Sequence, residues 1–323
     1  MADDVRWFAS NAYAALLVPE LRRLGLAIAT EGDRPARMAL AMSGVVAEAA
    51  WRFARTRGAR LLVYVWDLPP QRMAGGRPDP VWWLGDRFIR LPRPWGGYGG
   101  RRGYYSRLRY IAARADAVWA PSTLTRETVT ERFGVACERV PHCYDSDRFV
   151  PGQAVKAAPP ALLTVSRLHP HKNQALVLHA AAAIGAPVQV RLIGRGPDQA
   201  PLELLARRLG VRCRVETTAD DAAVTRAYRE ATVAVCPSRF EGFGLAPIEA
   251  VASGIPVIAS DIPPHREFVG SAARLFPVDD PAALAVTITA ALDAPPADPA
   301  LVGELTIQAA ARRFLACLGP LLR

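Results

Sequence analysis

Residues 238–254 read SRFEGFGLAPIEAVASG and lie between two apolar runs, VAVCPS before and IPVIAS after. Each run has the length and aliphatic content of a buried strand, and the intervening segment carries helical spacing. The stretch therefore predicts a strand–loop–helix–strand unit. The helix begins near Leu245, tolerates Pro247 in its first turn and ends at Gly254. Two acids, Glu241 and Glu249, stand with seven residues between them among Gly, Phe, Leu and Ile. In open α/β sheets, ligands bind in the crevice at the carboxyl ends of the strands. First-turn amides and the helix dipole point there and attract anions, phosphates above all. A carboxylate accepts two hydrogen bonds and suits the vicinal hydroxyls of a ribose or hexose. One acid can hold a sugar and the other a nucleoside ribose, with phosphates between them on the amides. Either acid alone is also what an ordinary helix start carries. Their combination with EGFG in an apolar turn favours binding.

The same alternation extends outward. Strands are expected at 5–10, 26–30, 61–67, 117–122, 161–166, 188–194, 212–216, 233–238, 256–260 and 273–278, with helical stretches such as AYAALLVPELRRLG and LTRETVTERFGV between them. Continuous apolar strands separated by helices imply parallel sheets covered on both faces, the α/β doubly wound class. The Pro/Gly/Ala stretch FVPGQAVKAAPPA (149–161) reads as a linker. It separates an N-terminal domain (1–150) from a C-terminal one (151–305), ahead of a final helix (306–323). The segment 87–110, rich in Gly, Arg and aromatics, reads as a long loop leading into a helix. At 323 residues with 51% hydrophobic and 22% charged residues, the chain is globular and large enough for two cores. Five cysteines without CxxC spacing suit reduced thiols and offer no zinc site. The N-terminus lacks a signal pattern and no apolar run is long enough for a membrane span, so a cytoplasmic location is expected.

Two further loops carry chemistry. In TVSRLHPHKNQALVLHA (164–180), Arg167 and Lys172 flank a short loop opening a helix near Asn173. Two cations there can neutralise a pyrophosphate as a leaving group, by preorganised charge and without metal; solvated surface cations are the bland alternative. Lys172 stands out because Lys156 is the only other lysine. In VRLIGRGPD (190–198), Gly194 and Gly196 follow a strand, but position 199 is Gln, so the dinucleotide fingerprint is incomplete. A tight turn letting a nucleotide approach the backbone fits them.

Taken in order, SRLHPHKN, LIGRGP, AYREATVAVCPSRFEGFGLAPIEAVASGIPVIAS and DIPPHREFVG resemble the nucleotide-binding half of glycosyltransferase family 4. ADAVWAPSTLTRETVTERFGV and VPHCYDSDRFVP resemble its stretch ahead of the interdomain linker. The resemblance implies the GT-B fold: two Rossmann-like domains with parallel sheets facing a central cleft, a nucleotide-sugar donor, retention of anomeric configuration, and no metal or other cofactor. By the same resemblance Arg167 and Lys172 bind the donor diphosphate, Glu241 holds donor-sugar hydroxyls near the reacting carbon, and Glu249 holds the ribose. The amides of Phe243, Gly244 and Leu245 line the phosphate and sugar site. Asp145-Ser146-Asp147 is not read as a metal motif.

The N-terminal half departs from that pattern. Its first strand runs into FASNAYAALL without a glycine pair, leaving Ser10 and Asn11 to approach phosphates or acceptor. Where many relatives have a His-Asp pair, this chain has Trp66-Asp67. Trp66 either stands beside the reacting sugar or simply packs. The net charge of +10 raises anionic partners. The 87–110 segment suits a lipid-linked or otherwise anionic acceptor, or peripheral contact with an acidic membrane face; its arginines equally suit a solvated loop. Nucleic acid is disfavoured for want of a stacking platform. The expected activity is sugar transfer to a hydroxyl of a glycan, glycolipid or small molecule. The alternative is an inactive GT-B-like basic module binding RNA or a membrane surface.

Overall fold

The computed structural model describes residues 3–9, 13–32, 34–44, 46–68, 82–84, 87–89, 99–153 and 157–323. The chain divides into two compact units. Unit 1 comprises Met1–His142 and Ile307–Arg323, and unit 2 comprises Cys143–Thr306.

Unit 1 is built on strands β1 (Asp3–Phe8), β2 (Ile28–Ala29), β3 (Ala36–Ala41), β4 (Arg60–Tyr64), β7 (Ala117–Ala120) and β8 (Glu138–Arg139), with a separate antiparallel pair β5 (Trp82–Leu84) and β6 (Arg87–Ile89). Its six-stranded sheet runs β2-β1-β3-β4-β7-β8 and is parallel throughout. β3 corrects the sequence reading. ARMALA holds no β-branched residue and alanine favours helices, so its strand signal is faint. Tertiary burial decides instead, since five of its six residues are buried between β1 and β4. The loop expected over 87–110 is corrected too. A strand occupies Arg87–Ile89 and a helix already begins at Gly99, running to Ala112 despite its glycines. The part of that loop at 90–98 lies outside the described residues.

The final helix, Ile307–Leu322, belongs to unit 1 and packs against the helix Tyr13–Arg23. Its Phe314 is fully buried in an aromatic nest. Ring centroids lie 6.5 Å away at Trp7, 5.9 Å at Tyr64, 5.5 Å at Trp119 and 6.0 Å at His142.

Unit 2 carries β9 (Ala161–Val165), β10 (Gln189–Ile193), β11 (Cys213–Glu216), β12 (Val233–Cys236), β13 (Val257–Ser260) and β14 (Ala273–Phe276) in the order β11-β10-β9-β12-β13-β14, all parallel. Successive residues of one strand enter opposite cores, as a sheet covered on both faces requires. Leu162, Val233 and Val235 join one cluster, whereas Leu163 and Ala234 join the other. The strand order reverses between β9 and β12, and ligands bind at such switch points. The loops leaving these two neighbours carry Lys172 and Glu241.

The units part between His142 and Cys143, ahead of the 150/151 boundary expected. Residues 143–153 already pack within unit 2. The Tyr144 amide donates to the Leu305 carbonyl at 3.1 Å, Phe149 meets Tyr228 edge-on at 5.5 Å, and Gly152 lies so near Arg229 that a Cβ would sit 2.7 Å from its Nε. All five cysteines are free. Among the described residues no helix is long and apolar enough to cross a membrane.

Candidate functional site

The loop after β9 closes a single 3-10 turn, Pro170–Lys172, and then Asn173 takes φ 59° before the helix Gln174–Ala183 begins. Asparagine is among the few side chains that accept the left-handed region readily. This turn aims Lys172 at the neighbouring loop. Its Nζ lies 2.5 Å from Glu241 Oε1, with both side chains only 14% exposed. Ser238 Oγ donates to the same oxygen at 2.7 Å. Burial raises the Glu241 carboxyl, but the Lys172 charge and the hydrogen bonds from Lys172 and Ser238 outweigh it, and its pKa ends below the ordinary value. Glu241 is therefore an ionised carboxylate at neutral pH.

Behind this pair the backbone is held from below. Ser260 Oγ donates to the Ser238 carbonyl at 2.5 Å, and His265 Nδ1 donates to the Ser260 carbonyl at 2.8 Å. His265 is 1% exposed, and burial, the leading influence, lowers its pKa, so the ring is neutral. Its edge sits beneath Gly244, where a Cβ would come within 3.1 Å of His265 Cδ2. Gly244 also adopts φ 90°. Glycine is required there twice over, by conformation and by space. The helix Leu245–Ala252 starts directly after it. The Phe243 ring is buried and meets Phe268 at 4.5 Å, so this residue offers the site its backbone, not its ring.

Glu249 lies one turn into that helix. Tyr228, buried throughout, donates its hydroxyl to Glu249 Oε2 at 3.3 Å. Burial pushes the Glu249 carboxyl up to about 7, partly opposed by Arg148 and the Tyr228 hydrogen bond. Arg148 pairs with Asp221 at 2.8 Å and lies over the Phe149 ring. A buried acid whose pKa is raised weakens the fold as pH climbs from the unfolded value toward the folded one, here across about 4.5–7. Hydroxyl binding runs the other way, because only the carboxylate accepts two hydroxyl protons. Affinity for a ribose-bearing ligand should rise about tenfold between pH 6 and pH 8, as the ionised fraction of a group titrating near 7 does. Calorimetric titration across that range checks this, and Glu249→Gln should flatten the profile.

The structure brings Lys172 and Glu241 together and sets Glu249 on the adjoining helix. Arg167 is exposed at the carboxyl end of β9, its carbonyl accepting from Gln174 Nε2 at 2.8 Å; its side chain is not part of the Lys172–Glu241 contact. Gly194 and Gly196 carry a packing reason of their own. A Cβ on either would fall 1.9 Å from a carbonyl oxygen, of Ser166 and Leu168 respectively. They let the loop after β10 lie against the loop after β9, sealed by Ser166 N–H to Ile193 O at 3.0 Å and Leu168 N–H to Arg195 O at 2.9 Å. Asp145 serves a turn, accepting from the amides of Arg148 and Phe149. In unit 1, Trp66 donates its indole N–H to the Met42 carbonyl and its ring centroid lies 4.6 Å from that of His142; Asp67 beside it is exposed. Ser10 and Asn11 lie outside the described residues. Sequence reading missed Ser238, which bonds Glu241 within one loop, and Tyr228 and His265, whose helices meet the site only in the folded unit.

A family model, glycosyl transferases group 1, matches residues 145–302. The match covers nearly all of unit 2, including both acids and Lys172. Related sequences include a D-inositol 3-phosphate glycosyltransferase of Geodermatophilus obscurus, 33% identical over 56% of this chain and 46% of the relative. A phosphatidyl-myo-inositol mannosyltransferase of Mycolicibacterium smegmatis is 32% identical over 54% of this chain and 47% of the relative. The match thus spans about half the length of these relatives. Among solved structures, Anabaena HepE in complex with UDP and glucose superposes with a TM-score of 0.72 at 14% identity, covering 98% of this chain and all of HepE. Sucrose-phosphate synthase from Thermosynechococcus elongatus gives 0.69 at 19% identity, covering 99% and 93%. These likenesses show the fold, a two-sheet GT-B α/β architecture.

Proposed function

We propose that this protein is a retaining glycosyltransferase, moving a sugar from a nucleoside-diphosphate sugar to a hydroxyl acceptor without a metal ion. The observation that carries the proposal is the Lys172–Glu241 pair at the switch point of unit 2, directly before the helix that bears Glu249. A cation, an ionised carboxylate and first-turn amides then surround one place. The amides and Lys172 suit a diphosphate; Glu241 suits sugar hydroxyls and the positive charge that builds on the anomeric carbon. Glu249 suits ribose. The names of the relatives support a sugar donor and a phosphorylated or lipid-borne polyol as acceptor class.

In the reaction, the bond from the anomeric carbon to the diphosphate oxygen breaks first. Lys172, Arg167 and the amides at Phe243–Leu245 take up the charge on the departing oxygen. The acceptor hydroxyl attacks from the face the diphosphate leaves, and its proton passes to that departing oxygen. Configuration is kept because both events use one face.

A panel of UDP-, GDP- and ADP-sugars tests this by thermal shift and by release of nucleoside diphosphate. At least one should raise the melting temperature by mass action and be cleaved slowly. Binding of none of them, alongside tight salt-dependent RNA or vesicle binding, would replace the enzyme with a binding module.

A further inference from the structure

Three loops at the carboxyl ends of β9, β12 and β14 are joined by a single carboxylate. Asp279 Oδ1, in the turn after β14, accepts from Asn173 Nδ2 at 2.9 Å and from Arg239 Nε at 2.7 Å. Arg239 in turn donates its Nη1 to the Pro170 carbonyl at 2.7 Å and its amide to the His171 carbonyl at 2.8 Å. Lys172 is thus bracketed: the two residues before it are held by Arg239, and the residue after it by Asp279. Arg239 stands two positions before Glu241, so the bonds that fix the lysine turn also fix the loop of its partner acid. Asp279 takes φ 65° to place its carboxylate there.

We propose that Asp279 is a positioning residue that sets Lys172 against Glu241, and through them orders the diphosphate site. This rests on the donor reading above. Asp279 does not touch Lys172 or Glu241 itself; it acts through Arg239 and Asn173. With side chains 52% and 38% exposed, the Asp279–Arg239 pair adds little to stability. Its value lies in geometry, and its loss should leave the fold standing.

The test uses the full chain with two substitutions. Asp279→Gly removes the carboxylate without straining a left-handed residue, and Asp279→Asn keeps the accepting oxygen and tolerates that conformation. Affinities for UDP, GDP and ADP are measured against those for uridine, guanosine and adenosine, the nucleosides by ligand-observed NMR. For whichever diphosphate the wild type binds, Asp279→Gly should cut the diphosphate-over-nucleoside advantage about tenfold, the worth of one charge-assisted contact. Nucleoside affinity should hold within about twofold, since ribose binding lies with Glu249. Asp279→Asn should restore most of the advantage. An unchanged ratio in Asp279→Gly, or an equal loss for nucleoside and diphosphate, overturns the positioning role while leaving the donor reading intact. Wild-type protein that binds none of the three diphosphates overturns both.

Discussion

Glu241→Ala should lower sugar release from the accepted donor about 10²–10³-fold, the cost of removing one preorganised charge contact to a transition state. Binding of the bare nucleoside diphosphate should move the opposite way. In the resting protein Glu241 Oε1 occupies the Lys172 ammonium at 2.5 Å, and its negative charge faces the place assigned to phosphate. Removing it frees the cation and lifts an anion–anion repulsion, so the diphosphate should bind as well as before or a few-fold tighter. Lys172→Ala gives the mirror image on the binding side, with turnover and diphosphate affinity falling together. Few explanations other than opposed roles at one locus produce that split. Glu241→Gln separates charge from shape: it keeps an accepting oxygen for Ser238 but should remain slow, because an amide does not stabilise a positive anomeric centre. Steady-state rates with titration calorimetry on the three variants decide the matter. Residual activity above about a tenth of wild type in Glu241→Ala would remove Glu241 from the chemistry.

The reach of the sequence into this structure depended on how local each signal was. The strands of unit 2 announce themselves because VAVC, VIAS and ALLTV are aliphatic, short and punctuated, and their neighbours cannot change that reading. ARMALA at β3 carries no such signal, and only its place between two other strands makes it one. The Glu-x7-Glu spacing was legible because a loop and the first turn of a helix fix it locally. The contact between Lys172 and Glu241, 69 residues apart, follows only from the adjacency of β9 and β12. Gly194 and Gly196 were singled out from their position after a strand, but their physical reason, two carbonyls pressed against their Cα atoms, belongs to a loop 28 residues earlier in each case. The division between units at His142 was hidden because proline and glycine at 151–152 look like a linker, yet pack onto Arg229 and the end of the helix at Gly254.

Phe314→Ala should destabilise unit 1 by about 3–5 kcal/mol, the range for truncating a fully buried aromatic ring that the surroundings cannot refill. The surroundings here are Trp7, Tyr64, Trp119 and His142, large flat groups with centroids 5.5–6.5 Å from the Phe314 ring. Such groups relax poorly into a void, because their rotamers are set by the strands that bear them. Edge-on and stacked contacts add to the area lost. The helix carrying Phe314 reaches unit 1 after the whole of unit 2 has intervened in the chain, so its docking closes a very long loop. Weakening the anchor should release the entire last helix, including the Arg313 bond to the Pro141 carbonyl at 3.2 Å and the Arg37 bond to the Leu322 carbonyl at 3.2 Å. Unfolding in urea followed by tryptophan emission reads this directly, since Trp7 and Trp119 both border the ring. Unit 1 should melt at lower denaturant, while nucleoside diphosphate binding through Lys172, Glu249 and the Phe243–Leu245 amides of unit 2 persists at wild-type affinity without denaturant. A loss below about 1 kcal/mol would mean that the aromatic nest closes over the gap and that the last helix is held elsewhere along its length.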